Sequence, residues 1–136
     1  MPARSSPARL YAGAAGAALA LAGIIGFFYS ADFGSPGDVE ALSGVLDVNG
    51  WQNLLHILTG ALGLIAFGAA LNARRYAIAV GTLYVLLAVW GVIAGSGASI
   101  AGIVPVNPGE NLAHVAIGLA GLYAGFATAP DRASRA

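Results

Sequence analysis

The sequence predicts an all-α integral membrane protein: a four-helix bundle of two tandem helical hairpins, with both termini cytoplasmic. Three observations predict it. Of the 136 residues, 58% are hydrophobic and 9% charged, against about 45–50% and about 25% in soluble domains. Four long stretches carry no charged side chain: 10–31, 48–73, 76–109 and 111–130. A polar motif also recurs at a fixed offset. The length fits one membrane domain over 1–136.

A bilayer core about 30 Å thick takes roughly 20 helical residues at about 1.5 Å each. Helices are therefore expected near 9–29, 50–72, 75–95 and 108–129, with short tails at 1–8 and 130–136. The first span resembles a signal peptide in having Arg4 and Arg9 before an apolar run. That run exceeds a typical h-region, and Tyr29-Ser30-Ala31 is a poor small-residue cleavage site, so the span is expected to be retained.

Charge sets the orientation. All six cations are Arg: Arg4, Arg9, Arg74, Arg75, Arg132 and Arg135. With Asp131 they fall on the tails and on the expected connection between helices two and three. Asp32, Asp38, Glu40, Asp47 and Glu110 fall on the other two connections. Arg near span ends is held on the cytoplasmic side, so the acidic loops are expected outside. Arg74-Arg75 is expected to anchor the inner turn on anionic headgroups. Tyr11 and Tyr76 are expected at inner edges, and Tyr29, Trp51 and Trp90 at outer ones. In the first outer loop, 34–37 reads as a turn and 39–46 as a short interfacial helix or a partner contact.

At an offset of 58, residues 44–64 match 102–122 with nine identities in 21 positions. Among them are Asn49/Asn107, Asn53/Asn111, the only two histidines (His56/His114), Gly60/Gly118 and Gly63/Gly121. Helices one and three match at an offset of 65 through Arg9/Arg74, Tyr11/Tyr76, Ala12/Ala77, Gly16/Gly81 and Gly26/Gly91. The expected unit is a hairpin used twice, about 9–72 and 75–129, related by an axis along the membrane normal.

Each motif opens as a helix start. Asn49 with Gln52, and Asn107 with Glu110, have capping-box-like spacing, and Pro108 falls at the first helical position. From the cap, Asn53, His56, Gly60 and Gly63 recur at helical spacing, as do Asn111, His114, Gly118 and Gly121. A polar stripe of this kind turns away from lipid, and its glycines permit close backbone approach. Helices two and four are therefore expected to meet near the axis. Asn49, Asn53, Asn107 and Asn111 then form a structural polar cluster with the histidines, and Gly60, Gly63, Gly118 and Gly121 do the packing. Gly91-x3-Gly95 and Gly121-x3-Gly125 are further small-residue packing motifs. Tyr84 and Tyr123, at mid-membrane depth, are each expected to hydrogen-bond a carbonyl.

The chemistry this leaves is narrow. The chain has no Cys, which excludes disulfides, thiolate metal sites and cysteine nucleophiles. Without Lys or net charge there is no basic patch for nucleic acid. No nucleophile elbow, phosphate loop or carboxylate pair within a span is present, so no catalytic residue is assigned. A metal site is not expected, because no carboxylate shares the stripe. His56 and His114 remain the candidates for a cofactor or proton site: haem b bound by two imidazoles, or pH-linked chemistry.

The stretches Gly44-Val-Leu-Asp-Val-Asn-Gly-Trp-Gln-Asn-Leu-Leu-His-Ile-Leu-Thr-Gly and Val104-Pro-Val-Asn-Pro-Gly-Glu-Asn-Leu-Ala-His-Val-Ala-Ile-Gly resemble the small bacterial membrane proteins catalogued as domain of unknown function 4383. The resemblance covers nearly the whole chain. It implies a four-span protein of the bacterial inner membrane and carries no activity with it. The leading expectation is a non-enzymatic accessory subunit or scaffold of a larger membrane assembly, with lipid and other membrane subunits as partners and no cofactor. A haem-binding or proton-linked redox protein and a small transporter remain the alternatives.

Overall fold

The computed structural model describes residues 6–34, 40–42 and 45–129. Its element order is α1 (Pro7–Gly26), β1 (Glu40–Leu42), β2 (Leu46–Val48), α2 (Gly50–Ala66), α3 (Ala70–Ala94), β3 (Ser99–Ile100), β4 (Val104–Pro105) and α4 (Pro108–Ala127). The fold is all-α in its mass, four helices with two short strand pairs. By length and composition α1 and α3 are apolar enough to cross a membrane.

Three helices start on side-chain caps. The Ser6, Asn49 and Asn107 oxygens accept from the N–H groups of Arg9, Gln52 and Glu110. Each cap satisfies a donor that the helix itself leaves free. Pro7 and Pro108 occupy first-turn positions, where no N–H is lost. The α1 cap moves its start two residues earlier than expected. α3 has no side-chain cap and starts from the tight turn at 67–69, where Gly68 and Ala69 donate to Ile65 and Ala66.

The helices pack in two pairs, α1 with α2 and α3 with α4; α1 also meets α3 and α4. Glycine makes both pairs possible. A Cβ on Gly16 would meet the backbone of Gly60, Gly63 and Leu64, and a Cβ on Gly81 that of Gly118, Gly121 and Leu122. These two sets differ by the sequence offsets of 65 and 58. Large apolar residues are displaced outward: Leu21, Leu62, Ile65, Val92, Ile93, Leu112 and Phe126 are all exposed.

The pairs are joined by reciprocal hydrogen bonds. Tyr11 Oη donates to the Ile117 carbonyl at 3.0 Å, and Tyr76 Oη donates to the Thr59 carbonyl at 3.1 Å. Their rings lie 6.2 Å apart, centre to centre. At one end Thr128 gathers three elements. Its Oγ1 accepts from Ala8 N and donates to the Ala124 carbonyl, while its own carbonyl accepts from Arg74 Nε.

Several expectations change. α2 stops at Ala66 and α3 begins at Ala70, so Arg74 and Arg75 lie inside α3 and not in the connection. A charge marks no helix end when its long side chain can reach outward, and Arg74 uses that reach to bind Thr128. Tyr11 and Tyr76 are bundle residues and not edge anchors. Tyr123 is exposed, and the expected carbonyl bonds belong to Tyr11 and Tyr76. α2 and α4 are not a main packing pair, because their glycines are filled by α1 and α3. The connection between α1 and α2 carries strands where an interfacial helix or a partner contact was expected: β1 pairs antiparallel with β2, Glu40 opposite Val48. Of the expected turn, Gly34 N binds Asp32 Oδ1, and 35–37 lie outside the described residues.

Gly81→Ala is expected to lower the melting temperature in detergent, by an overpacking penalty of about 1–3 kcal/mol. Gly68→Ala, whose Cβ meets only one atom at 3.5 Å, is the control and should leave it unchanged. Tyr11→Phe and Tyr76→Phe should each remove about 0.5–1.5 kcal/mol, measured by the same melts.

Candidate functional site

Asn49 and Asn107 do more than start helices. They fix where every later polar residue falls. Gln52 and Glu110 stand three residues on, and His56 and His114 four beyond those. Asn49 also donates from Nδ2 to the Ile103 carbonyl at 2.8 Å, which ties the β3–β4 lid to α2. The return half of each capping box is absent: Gln52 Oε1 has no hydrogen-bond partner.

The predicted stripe divides. Asn53 and Gly60 turn toward α1, and Asn111 and Gly118 toward α3. Asn53 Nδ2 donates to the Ser30 carbonyl at 2.8 Å. The Oδ1 atoms of Asn53 and Asn111 lack conventional donors. Each lies where a Cβ on Gly26 or Gly91 would project, and so faces that glycine's Cα–H as a weak acceptor. A Cβ on Gly63 or Gly121 would instead meet the hydroxyl of Tyr76 or Tyr11.

His56 and His114 turn into the space between the pairs. There they join three residues that the stripe did not include. Gln52 and Glu110 are 2% and 3% exposed. Glu110 Oε2 lies 3.9 Å from His114 Nε2, beyond hydrogen-bond distance. Tyr84 sets its ring edge-to-face on His114, with centroids 5.3 Å apart. The expectation that no carboxylate shares the stripe is therefore wrong. Glu110 reads in the sequence as a cap and loop residue. Its spacing of four before His114, repeated by Gln52 before His56, is the signal that finds it.

Two cavities flank this group. One, of about 190 Å³, is bounded by Ala15, Ala18, Leu19 and Ala22 of α1, the β2 residues Leu46 and Val48, and Ala113 and Ile117. The other, of about 160 Å³, is bounded by Leu55, Thr59, Leu83, Leu87 and Val104. Gln52, His56, Tyr84 and His114 line both, while Glu110 lines only the first. His114 Nδ1 and Gln52 Oε1 are buried without partners, each at a cost of about 1–3 kcal/mol.

Fold and site together define a small all-helical protein with a carboxyl–imidazole–amide group between two helix pairs. The chain belongs to the family described as Domain of unknown function (DUF4383), whose model matches residues 9–127. No curated protein and no solved structure matches it.

Gln52→Leu removes an unpaired buried acceptor at similar volume. It is expected to hold or raise the melting temperature of the ligand-free protein. A fall of several degrees would show that the amide's hydrogen bond to Glu110 outweighs the cost of its unpaired oxygen.

Proposed function

We propose that this chain is a four-span protein of the bacterial inner membrane. In this reading two hairpins stand in tandem, both termini are cytoplasmic, and the protein serves as a non-enzymatic subunit or scaffold of a larger membrane assembly. The observation that carries the reading is the inverted packing: Gly, Ala and Tyr inside, and a belt of Leu, Ile, Val and Phe outside. Small residues at contacts and large ones outward is the arrangement that lipid favours. α2, with 17 residues, sits at the short end of the spanning range of about 17–25. The polar residues of α4 turn inward. The recurrence of the glycine contacts and the reciprocal Tyr11 and Tyr76 bonds support duplication.

Two experiments test this. The chain has no Cys, so single cysteines report topology. Ser96→Cys should react with a membrane-impermeant maleimide in intact cells, and Ala69→Cys only after permeabilisation. The opposite pattern refutes the orientation. Mild-detergent purification from native membranes should bring down stoichiometric partners. A lone chain under every gentle condition refutes the subunit role.

One observation favours a second reading, a proton-linked membrane protein: the buried Glu110 carboxyl beside His114. An infrared carboxylic-acid stretch that titrates and disappears in Glu110→Gln supports it; a band that never titrates removes it. A haem fits this arrangement poorly. Both cavities, of about 190 and about 160 Å³, are smaller than the about 300–1,000 Å³ that houses drug-sized ligands.

A further inference from the structure

The two cavities differ in a way that selects one of them. At the offset of 65, Ala18 and Ala22 beside the larger cavity correspond to Leu83 and Leu87 beside the smaller one. At the offset of 58, Ala113 corresponds to Leu55 and Glu110 to Gln52. Each change to Ala removes bulk from the wall of the larger cavity. Ala18 and Ala22 are themselves exposed, so this cavity opens to the outer surface beside α1. At its inner end stand the buried Glu110 carboxyl, two imidazoles and the unpartnered Gln52 Oε1.

We propose that the cavity between α1 and α4 binds a single hydroxylated aromatic ring of the phenol or hydroquinone class. Size, polarity and charge each point there. An apolar cavity of about 150 Å³ holds benzene in an engineered protein, so about 190 Å³ holds one ring with a substituent. The alanine walls offer the ring an apolar bed. A phenolic O–H supplies the donor that Gln52 Oε1 lacks, and its oxygen accepts from an imidazole N–H. Buried polar atoms of this kind are met by ligand or water in folded proteins. A cationic ligand is disfavoured by the neighbours: His114 already stands beside the Glu110 carboxyl, and either imidazole in protonated form repels a second cation. A metal ion lacks its ligands, since among the described residues no three His, Asp or Glu side chains are placed to hold one. The site is independent of any partner subunit.

The test is ligand-dependent melting and calorimetry of the full chain in lipid nanodiscs. The probes are phenol, hydroquinone, benzene and cyclohexylammonium. Phenol or hydroquinone should raise the melting temperature saturably. Benzene should bind about tenfold more weakly, for want of the hydrogen bond. Ala18→Leu with Ala22→Leu carries the residues found at the corresponding α3 positions, and should abolish the response. Gln52→Leu, which keeps a well-packed side chain, should weaken phenol about tenfold and benzene little. A second arm separates sources. Tighter binding of a prenylated quinol supplied in the bilayer identifies a lipid-borne ligand; equal binding of free hydroquinone identifies a soluble one. Absence of any saturable response overturns the proposal. So does an unchanged response in both variants, equal binding of benzene and phenol, or preference for cyclohexylammonium. Each of these outcomes is separate from the copurification result.

Discussion

The rest of the structure depends on backbone touching backbone. Gly16 lies against Gly60, and Gly81 against Gly118, with no side chain between them. Helices this close behave as fused pairs, held by dispersion and weak Cα–H···O contacts more than by interlocking bulk. Large side chains have no room inside and go outward. What separates the pairs from each other is therefore not a packed aliphatic core. It is a layer of tyrosines and polar groups, and the gaps that such a layer leaves.

That layer is ordered from its ends. On one side Thr128 binds α1, α3 and α4 together. In the middle each tyrosine hydroxyl crosses to a carbonyl of the other pair. On the far side two short strand pairs close over the polar group, and Leu46, Val48 and Val104 form its roof. The Asn49 and Asn107 caps set the phase of α2 and α4, so their third and seventh residues face one another across the gap. A buried donor or acceptor without a partner costs about 1–3 kcal/mol. Two such atoms, Gln52 Oε1 and His114 Nδ1, stand in this one place.

Periodicity carried much of this into the sequence. The caps, the pairing of matched positions and the inward face of both histidines were legible, because they follow from local spacing. What spacing could not give was the neighbour of each face. The glycines of α2 suit any close-packed helix, and only the tertiary fold decides that α1 fills them and α4 does not. Glu110 was hidden for a related reason: an acid at a cap position has a sufficient local role, and its burial depends on a lid formed elsewhere. Arg74 and Arg75 misled through the opposite error. Charge does not mark the end of a helix; it bears only on where a long side chain can find a partner. The strands were illegible because β1 and β2 are three residues each and β3 and β4 two, too short for alternation to register.

The differences between the two matched halves are not spread evenly. Several of the tightest contacts are the same in both: Gly16 and Gly81, Gly60 and Gly118, Gly26 and Gly91 with Asn53 and Asn111. Around the cavities the halves part: Leu19 against Tyr84, Ala18 against Leu83, Ala113 against Leu55, Gln52 against Glu110. Folding alone would be served by either member of each differing pair, since each already stands in a well-formed helix of this chain. A fold built from two like hairpins would leave two like cavities. Here one is widened and given the carboxyl, and the other is narrowed by leucine. At these positions the asymmetry alters what the gap can hold, while the Gly16–Gly60 and Gly81–Gly118 contacts that make the helix pairs stay matched.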